Sequence, residues 1–198
     1  MIGYIIYLPK YEKSRSLADV ALTSGKSFGW NLQLFEGVDG SLLDWDSTGL
    51  KINNQNSKCL ATMQNPGFRG CFMSHYLLWN KCIQDNVPIG IFEHDIEFLK
   101  GPELDLNFKH ILRLEGFLKR KPRPAGEWYE GARAYILKPE GAERLVSWAK
   151  EHGALPSDVA IGTDVLEIDL DQTGKIKEHG IRPDYKENSF NWNLGSMR

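Results

Sequence analysis

The sequence predicts an α/β domain, and three observations carry that expectation. Residues 2–34 read as strand, helix, strand. The run Pro88-Ile89-Gly90-Ile91-Phe92-Glu93-His94-Asp95-Ile96-Glu97-Phe98 has the apolar density of a buried strand and leads straight into carboxylates. Ahead of it, residues 70–84 place Phe72, Tyr76, Trp79 and Ile83 at i, i+4, i+7 and i+11, with Cys71, His75, Leu78 and Cys82 as an adjoining stripe, the pattern of a largely buried helix. With 198 residues and 41% hydrophobic content the chain can bury one sizeable core. A single domain over 1–198 is expected, with an irregular tail from about residue 170, where Gly, Asp, Asn and Lys are dense and periodicity is weak.

Taken in order, residues 2–8 (Ile-Gly-Tyr-Ile-Ile-Tyr-Leu) form a first strand closed by Pro9-Lys10. Leu17, Val20 and Ala21 fall at helical spacing within 13–26, which ends at Gly25, and a strand carrying Leu32 and Leu34 follows. Residues 41–65, polar and Asn-rich around Asn53-Asn54-Gln55-Asn56, suggest a long surface excursion over the sheet. After helix 70–84 comes a turn at Asp85-Asn86 and then the apolar strand. Ile111 to Leu114 is a further strand, and Lys119-Arg120-Lys121-Pro122-Arg123-Pro124 is expected to be a basic loop. Residues 139–152 make a helix opened by Pro139 in its first turn and stopped by Gly153.

Residues two apart on a strand point the same way, so Glu93 and Asp95 are expected to project together from a strand's carboxyl end, where open α/β sheets place their ligand crevice. Two hard oxygen ligands side by side suit Mg²⁺ or Mn²⁺ held jointly with a substrate's phosphates. The plain alternative is a solvated strand end. A net charge of -2 gives no global electrostatic reason to expect nucleic acid or an anionic membrane as partner, and one short basic run does not change that. The opening apolar run is too short for a signal peptide or a membrane span. Three cysteines, Cys59, Cys71 and Cys82, none in a Cys-x-x-Cys pair, fit reduced thiols in a cytoplasm and argue against a structural zinc site.

The block Arg69-Gly70-Cys71-Phe72-Met73-Ser74-His75-Tyr76-Leu77-Leu78-Trp79 followed by a Pro-containing turn, an apolar strand and Glu93-His94-Asp95 resembles the centre of glycosyltransferase family 25. That family includes bacterial lipopolysaccharide and lipooligosaccharide galactosyltransferases and the collagen galactosyltransferases. Its pattern is Gly-Cys-x-x-Ser-His on a helix and then Glu-Asp-Asp, so the outer carboxylates are kept here and the middle one is His94. Further pieces match in order: Tyr4 to Leu8 with Arg15, the Phe35-Glu36-Gly37-Val38-Asp39-Gly40 turn, Ile111-Leu112-Arg113-Leu114-Glu115, Gly131 to Ala142, and Pro156-Ser157-Asp158.

The resemblance implies a GT-A-type nucleotide-sugar-binding domain, with a mixed, mainly parallel sheet flanked by helices. It implies transfer of a hexose, typically galactose, from a UDP-sugar to a glycan hydroxyl with inversion and with Mn²⁺ or Mg²⁺. The glycan would be lipopolysaccharide or another surface glycan, met at the inner face of a membrane by a protein with no anchor of its own. Under that reading Glu93 and Asp95 hold the metal, Glu93 also meeting the donor. Arg15, Asp39, Arg69, Ser74 and His75 are donor-site candidates. Asp158 is the leading general base and Glu115 the second. Each residue also has an ordinary role open to it: surface ion pairs for the arginines, turn chemistry for Asp39, a helix hydroxyl for Ser74, a hydrogen-bonded core histidine for His75, capping for Asp158, and a cross-strand partnership with Arg113 or Arg133 for Glu115. His94 is read as a packing substitution. A catalytically impaired relative that only binds sugar nucleotides, and a metal-dependent phosphohydrolase, are the competing classes; the second leaves the Gly-Cys-x-x-Ser-His helix unexplained.

Overall fold

The computed structural model describes residues 1–54, 57–115, 120–123 and 126–178. Its elements are β1 (Ile2–Tyr7), α1 (Glu12–Ser27), β2 (Leu32–Glu36), α2 (Ser57–Met63), α3 (Pro66–Asp85), β3 (Ile89–Glu93), β4 (Ile96–Phe98), β5 (Ile111–Arg113), β6 (Arg120–Arg123), β7 (Gly126–Tyr129), β8 (Ala134–Leu137), α4 (Pro139–His152), α5 (Ser157–Ala160), β9 (Ile168–Leu170) and β10 (Ile176–Glu178). Six strands form one sheet in the order β2-β1-β3-β8-β5-β9. The pairs β1/β2, β1/β3 and β5/β9 are parallel, and β8 is antiparallel to both its neighbours. The expected α/β class with a mixed, mainly parallel sheet flanked by helices is therefore the observed one.

Period-two alternation sends each strand's side chains to two separate cores. Tyr4, Ile6, Ile89, Ile91, Tyr135 and Leu137 face the layer of α3 and α4, with Phe72, Trp79 and Leu145. Ile5, Phe92, Ala134 and Ile136 face the other layer, with Ala18 and Ala21 of α1 and with Trp30 and Phe98. Burial on both faces is what gives the β3 sequence its unbroken apolar character.

Helix α3 starts earlier than the stripe alone suggests. Asn65 Oδ1 accepts from the Gly67 N–H at 2.8 Å and Pro66 occupies the first turn, so four further residues precede Gly70 in the helix. Asn86, at φ 52°, ends it. Helix α4 has the expected bounds, with Gly153 at φ 91°.

Two expectations are corrected. The strand through 88–98 is broken: β3 stops at Glu93, His94 and Asp95 form a turn, and β4 leaves the main sheet to pair with β10. Residues 120–123 of the expected loop are a strand paired with β7, because Trp128 and Tyr129 supply apolar cross-strand surface; Lys119 and Pro124 lie outside the described residues. In the tail from about 170, residues 171–175 have no regular structure and β10 pairs with β4; the tail beyond 178 lies outside the described residues. The described residues of the 41–65 excursion are mostly exposed, as expected of a surface segment, and buried Trp45 and Met63 anchor it, with Asn53 Nδ2 donating to the His152 carbonyl at 2.8 Å. None of the described helices is long and apolar enough to cross a membrane.

Candidate active site

A cleft of about 350 Å³ opens where the carboxyl ends of β1 and β3 meet the loop after β2, the first turns of α3, the start of β8 and the start of α5. Because β8 runs against its neighbours, its amino end, preceded by Gly131-Ala132-Arg133, arrives at the same edge. The lining includes Cys71, Ser74, His75, Glu93, His94, Asp95, Arg133, Ser157 and Asp158.

The first turns of α3 sit here because backbone meets backbone without side chains between. A Cβ on Gly70 would lie 2.4 Å from the Val38 carbonyl oxygen, and one on Gly40 would lie 1.7 Å from that of Pro66. Ser74 Oγ accepts from the Val38 N–H at 2.8 Å and donates to the Gly70 carbonyl at 2.7 Å. Gly40, Gly70 and Ser74 thus hold the β2 loop against the helix.

One turn further along α3, a chain of hydrogen bonds reaches from the core to the cleft. Trp79 Nε1–H donates to the Tyr135 hydroxyl at 2.9 Å, that hydroxyl lies 2.8 Å from His75 Nδ1, and His75 Nε2 lies 3.3 Å from Glu93 Oε1. An indole can only donate and a carboxylate can only accept. One arrangement of a neutral imidazole satisfies every member: Tyr135 donates to Nδ1, and Nε2–H donates to Glu93. Burial acts to raise the Glu93 carboxyl, but the hydrogen bond from His75, with the positive charge of Arg133, outweighs it and holds the group below its ordinary value. Cys71, one turn before His75, points its thiol at Glu93 Oε1 at 3.9 Å and at Ser157 Oγ at 3.5 Å; burial pushes this thiol far up.

Asp95 ends the turn after β3, and its Oδ2 is 3.6 Å from Arg133 Nε. Asp158 accepts from the N–H groups of Gly131 at 3.3 Å and Val159 at 2.9 Å, and burial lifts its carboxyl above the ordinary value. His94 Nδ1 faces the Ile6 carbonyl at 3.3 Å, so the ring must donate there and ties the turn to β1; burial lowers its pKa.

Ser74, His75, Glu93, Asp95 and Asp158 of the sequence-derived candidates therefore meet in one cleft. Asp158 lies in the first turn of α5, just after the loop that ends at Pro156. Glu115 is buried behind the cleft wall, where Arg113 donates to its Oε2 and the Arg133 N–H donates to its Oε1 at 3.1 Å. Asp39 lies in the β2 loop, with Ser41, Tyr11 and Lys10 donating to it. Burial would raise that carboxyl, and these hydrogen bonds bring it below its usual range. Arg69 donates to the Met63 carbonyl and lies over Trp45, while Arg15 donates to the Pro9 carbonyl from the exposed side of α1. Arg15, Asp39, Arg69 and Glu115 do not line the cleft. Residues that do, and that spacing gave no reason to select, are Arg133, Cys71 and Ser157. Tyr135, behind them, was visible only as part of a strand.

The profile of glycosyltransferase family 25 (LPS biosynthesis protein) matches residues 3–124. Among characterised sequences, the lipooligosaccharide biosynthesis protein lex-1 of Haemophilus influenzae is 30% identical over 131 residues, covering 50% of this chain and 41% of that protein. Lipooligosaccharide biosynthesis protein lic2B of Haemophilus influenzae is 35% identical over 106 residues, 40% of each. The chain spans about two fifths of the length of each of these relatives. The galactosyltransferase LgtC, solved in complex with donor and acceptor sugar analogues, superposes with a TM-score of 0.49 at 11% identity, over 86% of this chain and 73% of that one. The profile match takes in both strands beside the cleft, the Gly70 to His75 helix and the Glu93-His94-Asp95 turn, and the chain belongs to glycosyltransferase family 25.

Proposed function

We propose that the protein transfers a hexose, galactose in the first instance, from a UDP-sugar to a hydroxyl of a glycan such as lipopolysaccharide, with inversion at the anomeric carbon and with a divalent metal ion. The observation that carries this reading is the convergence of Glu93, Asp95, Arg133 and Asp158 on one cleft at the strands' carboxyl ends, in a family 25 chain. Such an edge is where α/β sheets bind nucleotides.

Glu93 and Asp95 fit a metal: both are cleft-lining oxygen donors, with side chains 26% and 27% exposed. Mn²⁺ or Mg²⁺ between them would supply positive charge to the departing diphosphate. His75 holds Glu93 in orientation through Nε2–H, and Arg133, already beside Asp95, offers a guanidinium to the same phosphates. Asp158 takes the proton from the acceptor hydroxyl; two backbone N–H groups fix its carboxylate, and its raised pKa makes it a better base than an exposed aspartate. Glu115, engaged by Arg113 and by the Arg133 backbone, supports Arg133 rather than acting as the base.

The test is a transfer assay read by mass spectrometry, with UDP-galactose, UDP-glucose, UDP-N-acetylglucosamine and GDP-sugars offered to a truncated lipooligosaccharide acceptor, with and without Mn²⁺. Transfer from a UDP-hexose that is stimulated by the metal and lost in Asp158→Asn is the expected result. Transfer from GDP-sugars alone, or an Asp158→Asn variant as active as the parent, would overturn the donor or the base assignment respectively.

A further inference from the structure

We propose that Cys71, His75 and Glu93 form a site for a borderline-soft divalent cation of the zinc class, with one coordination position open to the cleft. Among the described residues these three form a group whose ligand atoms, Sγ, an imidazole nitrogen and a carboxylate oxygen, all lie within 4.8 Å of one another. A tetrahedral ion bound at about 2.0 Å by oxygen and nitrogen and about 2.3 Å by sulfur holds its ligand atoms roughly 3.3–3.6 Å apart. The structure has His75 Nε2 to Glu93 Oε1 at 3.3 Å and Cys71 Sγ to Glu93 Oε1 at 3.9 Å. The third separation, Cys71 Sγ to the imidazole nitrogen, is within 4.8 Å, so the trio closes on an ion with shifts of up to about an ångström, within reach of a change in the Cys71 rotamer.

Three further features point the same way. Cys71 and His75 are four residues apart on α3 and share a face, while Glu93 ends β3, so rigid elements rather than loops carry the ligands. Behind the imidazole, the Tyr135 hydroxyl at 2.8 Å from Nδ1 has a second lone pair besides the one that accepts from Trp79, and metal binding would turn it from donor to acceptor of an Nδ1–H, its own O–H giving up this partner. With the proton on Nδ1 the Nε2 lone pair faces the cleft, the buttressed arrangement of metal-bound histidines. The ligand types decide the class of ion: thiolate and imidazole select zinc-like ions over Mg²⁺ or Mn²⁺, and three protein ligands plus an open position is the pattern of reactive rather than structural zinc. Asp95, salt-bridged to Arg133, is not a member of the trio.

This site does not rest on the sugar-transfer reading, because the ion alone is its probe. Co²⁺ titrated into the metal-free full chain, followed by absorption, should develop a thiolate-to-cobalt charge-transfer band and intense tetrahedral visible bands, and Zn²⁺ should displace them while Mn²⁺ does not. Cys71→Ser should lose the charge-transfer band, whereas Cys59→Ser and Asp95→Asn keep it. If Cys71→Ser does not fold, Glu93→Gln serves instead and should weaken Zn²⁺ binding at least about tenfold. Absence of the band in the parent, its survival in Cys71→Ser, its loss in Asp95→Asn, or unchanged Zn²⁺ affinity in Glu93→Gln would overturn the proposal. UDP binding in the same samples reports on the donor site separately.

Discussion

Replacing Tyr135 by Phe removes one oxygen and almost nothing else. The ring remains, so no cavity of consequence opens, and the residue is fully buried. What is lost is the partner of two other buried groups: the Trp79 indole N–H at 2.9 Å and His75 Nδ1 at 2.8 Å. Trp79 and His75 are both 0% exposed, so water cannot substitute. An orphaned buried donor or acceptor costs about 1–3 kcal/mol, which for two groups sums to about 2–6 kcal/mol. The lower half of that range is expected, because His75 keeps its contact with Glu93. For a chain of this size a loss of about 3 kcal/mol lowers Tm by about 6–12 °C. Equilibrium urea unfolding followed by tryptophan fluorescence measures it, and an unchanged m-value would show that the compactness of the two states is intact. The ¹⁵N shifts of His75 provide the second reading: a neutral Nε2–H tautomer in the parent and a changed tautomer population in the variant. A stability loss below about 0.5 kcal/mol, with His75 shifts unaltered, would refute the hydrogen-bond chain.

Gly70→Ala should be among the most destabilising alanine substitutions in the chain, because its Cβ would meet the Val38 oxygen at 2.4 Å and the Gly40 nitrogen at 2.6 Å, both backbone atoms that cannot rotate away. Overpacking of this kind costs about 1–3 kcal/mol or more, and a thermal melt within 1–2 °C of the parent would contradict it. His94→Asp, although it restores the family's middle carboxylate, should destabilise by about 1–3 kcal/mol, since an acceptor replaces the donor that faces the Ile6 carbonyl; His94→Asn, which keeps a donor, should recover part of the loss in the same denaturation assay. The rate of transfer should fall on the acid side through a pKa above the ordinary 3.8 of aspartate, because burial raises Asp158 and its protonated form cannot accept the acceptor's proton. A pH profile with no acid limb above 3.8 would remove Asp158 from the role of base.

Much of this was legible in the residues themselves. The bounds of α4 follow from Pro139 and Gly153, and the identity of β3 from its apolar run, since both are local signals. The turn at His94-Asp95 was not, because nothing between Glu93 and Ile96 is a turn-former of the Gly or Pro kind; the break comes from β10 drawing β4 out of the main sheet, a pairing across some eighty residues. For the site, family resemblance supplied Ser74, His75, Glu93, Asp95 and Asp158, which the fold brings together. Glu115 takes the ordinary role the sequence left open to it, partnering Arg113 and Arg133, but the resemblance could not choose between that and the base, nor show that Arg15 and Arg69 point elsewhere, because those outcomes depend on which side of a wall each side chain falls. Arg133 carried no spacing signal, and only the antiparallel entry of β8 delivers it to the cleft. Tyr135 and Cys71 looked like core residues, and their importance lies in the single polar atom each presents.

The claim on which the rest depends is that this cleft receives the nucleotide-sugar. Amide hydrogen exchange on the whole chain, with and without UDP-galactose and Mn²⁺, addresses it directly. Exchange should slow in the segments that line the cleft, 38–40, 93–95, 131–133 and 156–158, and should be unchanged in the groove along the outer face of α1 and residues 97–99. Protection confined to the α1 groove, or no protection at all at saturating donor, would contradict the assignment.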